Sequence, residues 1–202
     1  MTDGSLVARV AAGAVASIGG IWQRHVSVRY AEEVFEGRQG YGRWGTEHGF
    51  PVLYLGRPTA SVIVEAYRHL VDPVEDPAVR LAVKPRVLVT CSVRVDNVLD
   101  LRSARTRVQV GLTQEDLLSD TTDEAAYARC QEVAAVAHGL GRHGVIAPAA
   151  TRLGETLALF VDLLPATQRP VRTADDLVWA QLPPDPRARR RTLRVVRDSD
   201  MP

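Results

Sequence analysis

The sequence predicts an α+β fold: a single domain spanning residues 1–202, with a strand-rich core and flanking helices. Three observations carry this expectation. Strand patterns outnumber helical ones. Strands and helices do not alternate as a parallel βαβ sheet requires. Apolar residues make up 46% of the chain, enough for one core of ordinary domain size.

The elements follow in order. Residues 6–18 are apolar but interrupted by Arg9, with no cationic segment before them. That stretch is too short and broken to span a bilayer, so it reads as a leading helix or a buried segment. Residues 21–30 look extended. Residues 36–50 hold five glycines and read as a loop with wide backbone freedom. Residues 51–56 form a short buried strand bounded by Pro and Gly. A helix follows over 59–70, with Thr59 as its N-cap.

Residues 85–96 alternate. Val87, Val89, Cys91, Val93 and Val95 fall on one face, and Arg86, Thr90, Ser92 and Arg94 on the other, as in a half-buried strand. Thr113 and Asp116 form a capping box that opens a short helix. A longer helix covers about 123–138. Two strands follow, 144–148 and 156–163. Residues 183–202 form a basic arm, with an exposed linker over 183–191 and a short strand over 192–196.

Gly139, Gly141 and Gly144 match the dinucleotide pattern GxGxxG. That fingerprint needs a strand before it and a helix after it. Here the order is reversed, so these glycines read as a helix cap and turn.

Composition excludes several function classes. The net charge is +1, which demands neither nucleic acid nor an anionic membrane. Aromatic residues are 5%, too few for a stacking platform along a single strand. Lys84 is the only lysine, so the positive charge is almost all arginine. Two cysteines, Cys91 and Cys130, make no disulfide framework, and no Cys/His cluster suggests a metal. A reduced, cytoplasmic protein is expected. Arg187, Arg189, Arg190, Arg191, Arg194 and Arg197 would contact DNA phosphates or an acidic partner, or else form a solvated arm paired with the chain's own carboxylates.

The residues that could carry chemistry cluster in the first third: Arg24, His25, Arg43, Tyr54 and Glu65. Tyr54 sits in an apolar strand. Glu65 sits in a helix turn among Val62, Ile63, Val64 and Ala66, where a carboxylate is costly unless it is paired or used. Taken singly, Arg43 could pair with a carboxylate, Tyr54 could be a core aromatic, and Glu65 could face solvent.

The pattern resembles the RES-domain family. The matching residues are Trp22-Gln-Arg24-His25, Gly40-Tyr-Gly-Arg43-Trp44-Gly45, Pro51-Val-Leu-Tyr54-Leu55 and Val64-Glu65. Cys130-Gln131 and Gly144-Val-Ile-Ala-Pro148-Ala149 are similar to the family's later blocks, and the likeness spans 20–165. The resemblance implies a fold similar to ADP-ribosyltransferases. It implies an NAD+-degrading toxin of a toxin–antitoxin system, cleaving the nicotinamide–ribose bond by phosphorolysis or hydrolysis. NAD+ would be substrate, with no separate cofactor, and phosphate a candidate co-substrate. The partner would be an Xre-like antitoxin that supplies any DNA contact, and the toxin could be a homodimer within that complex. Two alternatives stay open: ADP-ribosyl transfer to a protein, and a degenerate relative that binds NAD+ with little turnover.

In that reading Glu65 and Arg43 are catalytic, and Arg24, His25, Tyr54 and Trp44 bind substrate. A glutamate suits an oxocarbenium-like ribose, arginines suit the pyrophosphate, and a tyrosine suits stacking. The chain departs from the family pattern at three places. Gly45 stands where Asn is common, His25 where Tyr is common, and Ala128 where the family serine is expected. Ser119, Thr121 and Thr122 are candidate replacements for that serine.

Overall fold

A computed structural model describes residues 4–76 and 83–188. Among these lie five α-helices and seven strands in one sheet system: α1 (Gly4–Ala11), β1 (Val15–Ser27), β2 (Val52–Arg57), α2 (Thr59–Leu70), β3 (Arg86–Asp100), α3 (Ala104–Val110), α4 (Gln114–Leu118), α5 (Glu124–Gly139), β4 (Gly144–Pro148), β5 (Glu155–Phe160), β6 (Val171–Arg172) and β7 (Leu177–Trp179). The fold is α+β with a strand-rich core.

The strands close on themselves. Hydrogen bonding runs β1–β2–β5–β4–β3, and β3 pairs back to β1. One edge of β3 carries β1 along almost its whole length. The other carries β7, β6 and β4 in turn. Side-chain alternation then sorts residues into an inside and an outside. Ile18, Trp22, Leu53, Leu55, Cys91, Val93, Val95, Ile146, Leu157 and Leu159 share one cluster, so all five ring strands feed the same interior. Outside the ring, Leu99, Val145, Ala158 and Phe160 pack against Leu6 and Val10 of α1 and Cys130, Val133 and Ala137 of α5.

Most expected elements are present, and the differences have local causes. Residues 6–18 divide into α1 and the start of β1. The 85–96 strand extends to Asp100 because of a bulge. Asn97 takes φ 55°, and the β1–β3 register shifts where Ala16 pairs Val98 but Ile18 pairs Val95. The extra residue breaks the period-two alternation at that point. Helix α2 begins where expected, but Pro58 is its N-cap, and Thr59 instead donates its hydroxyl to Gln23 Oε1 at 2.7 Å. The strand expected over 156–163 ends at Phe160.

The capping box on α4 forms both of its bonds, at 3.1 and 2.8 Å. Gly139 ends the helix, whose C-cap is Leu140, and Gly141 makes the turn at φ +72°, but Gly144 belongs to β4 rather than to the turn. Of the basic arm, Arg187 is ion-paired to Asp72 at 2.7 Å and to Asp185 at 2.8 Å. The strand expected over 192–196, and Arg189, Arg190, Arg191, Arg194 and Arg197, lie outside the described residues.

Gly144 opens β4 opposite Leu159 with no room for a side chain. A Cβ there would stand 2.3 Å from the Ala158 carbonyl oxygen and 3.1 Å from Leu159 Cα, both backbone atoms of a central strand. Gly144→Ala is expected to destabilise the fold by about 1–3 kcal/mol, in the range for overpacked cores. Denaturant unfolding of the two proteins measures this, and equal midpoints would contradict it.

Candidate active site

Strands β1 and β2 share a single pair, Gln23 with Gly56. Continued antiparallel pairing would set His25 opposite Tyr54. The strands part instead, and both residues line a cavity of about 440 Å³. That volume falls within the roughly 300–1,000 Å³ usual for small-molecule sites. Glu65, Arg43 and Trp44 also line it. Arg24 lines an adjoining cavity of about 100 Å³ that shares His25, Tyr54 and Glu65.

Helix α2 crosses β1 and β2 and lays Glu65, Arg68 and His69 along the cavity, at the i, i+3 and i+4 spacing of one helix face. The Glu65 carboxylate is 2.8 Å from His69 Nε2 and 3.8 Å from Arg68 Nε. Burial alone would raise its pKa. The His69 hydrogen bond and the charges of His69 and Arg68 outweigh that, holding the carboxyl below its ordinary 4.5. The side chain keeps 40% of its surface exposed, so an ionised carboxylate opens onto the cavity. Arg68 also donates to the carbonyls of Ala150 at 2.9 Å and Ser119 at 3.0 Å.

Arg43 fixes the opposite wall. Its Nη1 donates to the Asp116 carbonyl and to Ser119 Oγ at 3.0 Å, and its Nη2 to the Ser119 carbonyl at 2.8 Å. Its guanidinium also lies 4.5 Å over the Tyr127 ring. Tyr127 in turn stacks on Tyr41 at 5.5 Å and 11°, and both rings line the cavity. Tyr41 is 54% exposed and offers its ring to a ligand.

The glycine loop is held from two sides. The Tyr54 hydroxyl accepts the Trp44 N–H at 2.9 Å, and Gln131 donates to the carbonyls of Gly42 at 2.8 Å and Gly45 at 3.2 Å. Gly42 lets the loop approach Tyr54 closely, since a Cβ would stand 2.8 Å from the Tyr54 hydroxyl. Burial raises the Tyr54 phenol well above its ordinary range, so it stays neutral. Trp44 is only 1% exposed and belongs to the core, so it frames the cavity rather than presenting a stacking face.

His25 Nδ1 accepts from Arg86 Nε at 2.8 Å. A guanidinium cannot accept, so the imidazole proton sits on Nε2. Burial and the Arg86 charge push its pKa down to about 3. Arg24 donates to the Val34 carbonyl at 3.2 Å. Burial and the charge of Arg38 lower its pKa to about 10, which leaves it charged at neutral pH.

The structure thus brings all six candidates together. It adds Arg68, His69, Tyr41, Tyr127 and Arg86, which sequence reading missed. Arg68 and His69 were readable, three and four residues beyond Glu65. Tyr127 and Arg86 reach the site from distant elements and carry no local signal. Of the residues weighed in place of the serine missing at Ala128, Ser119 bonds Arg43 and Thr121 lines the cavity.

The family model for the RES domain matches residues 21–181. The chain belongs to the RES-domain family. A probable NAD(+) phosphorylase of Mycobacterium tuberculosis is 39% identical to this RES-domain chain over 129 residues, which are 63% of this chain and 57% of that protein. The chain therefore spans little more than half the length of that relative. The NAD(+) phosphorylase MbcT of Mycobacterium bovis is 29% identical over 139 residues, 69% of this chain and 72% of that one. Among solved structures, the Mycobacterium tuberculosis MbcT–MbcA toxin–antitoxin complex superimposes with a TM-score of 0.72 at 25% identity. That match covers 88% of this chain and 94% of the other. No helix among the described residues is long and apolar enough to cross a membrane.

The partly buried His25 makes the stability of this RES domain depend on pH. Its folded pKa, about 3, lies below the ordinary 6.5, so the unfolded chain binds the proton more readily. The stabilisation is complete above about pH 6.5 and is lost as pH falls toward 3. His25→Gln keeps an acceptor for Arg86 and cannot titrate. Its melting temperature should fall less than that of the wild type between about pH 7 and about pH 4. Equal losses would show that the imidazole is not held neutral.

Proposed function

We propose that this chain cleaves the nicotinamide–ribose bond of NAD+ with inorganic phosphate as acceptor, as the toxin of a cytoplasmic toxin–antitoxin pair. The observation that carries this reading is an ionised Glu65 opening onto a cavity walled by arginines and tyrosines. The names of the relatives support it.

The chemistry asks little of the leaving group. When the C–N bond breaks, its electron pair returns to the pyridinium ring, and nicotinamide departs neutral. Positive charge develops on the ribose instead, as in glycoside hydrolysis. The Glu65 carboxylate is placed to stabilise that charge, with His69 and Arg68 fixing its rotamer. A phosphate oxygen then bonds the anomeric carbon, giving ADP-ribose 1″-phosphate. Tyr41, stacked on Tyr127, offers a face for an aromatic ring of the substrate. Arg24 and Arg86 supply positive charge for its diphosphate. Arg43, donating to Asp116 and Ser119, acts by holding the wall on which Tyr127 stands.

Nicotinamide release from NAD+ tests the reading, with and without inorganic phosphate. Release should require phosphate, and Glu65→Gln should lower kcat by roughly 100-fold or more, the scale of a lost electrostatic stabiliser. Release without phosphate would make the protein a hydrolase. No release from folded protein that binds NAD+ would favour the degenerate binder. Because Glu65 ionises below its ordinary 4.5, any acid limb due to it should lie below about pH 4.5.

The toxin assignment has its own test. Expression of this chain alone should deplete cellular NAD+ and arrest growth, and co-expression of an antitoxin that covers the cavity mouth near Tyr41 should restore both. Normal growth with full NAD+ would exclude it.

A further inference from the structure

We propose that the positive surface of Arg24 and Arg86 extends through Arg29 and Arg38 into a site built for a separate phosphate group, on the flank of the reaction cavity. The inference rests on the phosphorolytic reading above for its role, but not for its existence.

The four arginines line a separate concavity of about 270 Å³, together with His25, Tyr30 and Glu33. The guanidiniums of Arg29 and Arg38 both lie over the Tyr30 ring, at 4.5 and 3.9 Å from its centre. The ring orients them without cancelling their charge. Glu33 is the one carboxylate among the described lining residues. It is 68% exposed and only reaches Arg38 at 3.6 Å. His25 is neutral. Four guanidiniums therefore face a single carboxylate.

Like charge crowds Arg24, which is also partly buried. Burial and the charges of Arg38 and Arg86 together lower its pKa to about 10. Several donors also stand ready. Arg86 uses Nε on His25, and no bond from its terminal nitrogens is found among the described residues. Arg29 has no ion pair among them either. Arg24 and Arg86 are partly buried, where an uncompensated guanidinium is costly, and an anion relieves that cost. The planar forks of several arginines suit a tetrahedral phosphate, which can accept from more than one side.

Position gives the site its role. Arg86 and His25 line both this concavity and the reaction cavity, and Arg24 lines the small cavity between them. A phosphate held here stands beside the route to the ribose. Free inorganic phosphate and the diphosphate of NAD+ share this chemistry, and kinetics separate them.

The test is the double variant Arg29→Gln with Arg38→Gln, purified beside the wild type. Both side chains are at the surface, and the backbone pairing of Arg38 with Val52 does not depend on its side chain. We expect the KM for phosphate to rise about tenfold or more, with kcat at saturating phosphate and the KM for NAD+ unchanged. A rise in the KM for NAD+ alone would assign the site to the dinucleotide's diphosphate. No change in either constant would overturn the site. Calorimetric titration with inorganic phosphate gives a reading independent of turnover. Phosphate binding that the double variant loses would uphold the site even if the wild type released no nicotinamide. Equal binding by both proteins would overturn it.

Discussion

The parting of β1 from β2 beyond Gln23 and Gly56 is the constraint on which the candidate site depends. A sheet strand normally satisfies its backbone along a continuous ladder. Here the ring of strands closes through one pair and then opens, while β3 holds β1 on its other edge along nearly its whole length. That long ladder lets β1 be committed to β3 and still leave β2. The gap exposes Arg24, His25 and Tyr54 at the point where α2 crosses with Glu65.

Two clamps keep the gap from collapsing. On one side, Arg43 and Arg68 both donate to the Ser119 carbonyl, tying the glycine loop and α2 to the end of α4. On the other, Tyr54 and Gln131 bond the backbone of the glycine loop, so five glycines do not leave the wall loose. Hydrogen bonds to charged donors are the stronger class, at roughly 1.5–3 kcal/mol each. The arginines of this chain thus divide by position. Arg43 and Arg68 use their forks on main-chain carbonyls, whereas Arg24, Arg29, Arg38 and Arg86 crowd together facing one carboxylate.

The electrostatics divide in the same way. Glu65 is kept ionised by neighbours on its own helix. His25, partly buried beside Arg86, is kept neutral. Tyr54 remains a neutral phenol. The cavity therefore presents one negative group within a largely neutral and positive surround, which suits a substrate that carries phosphate and develops positive charge at a single carbon.

Much of this was legible in the sequence where the physics is local. Alternation marked β3 up to the bulge, Thr113 and Asp116 marked the start of α4, and Gly139 and Gly141 marked the end of α5 and the turn after it. Glu65 among apolar neighbours, with the Arg43–Trp44 and Tyr54 motifs, was enough to suggest the family and the main candidates. What the sequence could not supply was anything set by distant segments meeting. The turn of Asn97 that lengthens β3, the burial of Trp44 and the bond between Thr59 and Gln23 each depend on a partner strand or helix. So do the stacking of Tyr41 on Tyr127 and the approach of Arg29 and Arg38 to Arg86. Local pattern fixes which elements form and which faces they bury, because those follow from backbone period and side-chain type. Only the closure of the ring around one short pairing decided which charges would share a cavity, because that depends on contacts between segments far apart in the chain.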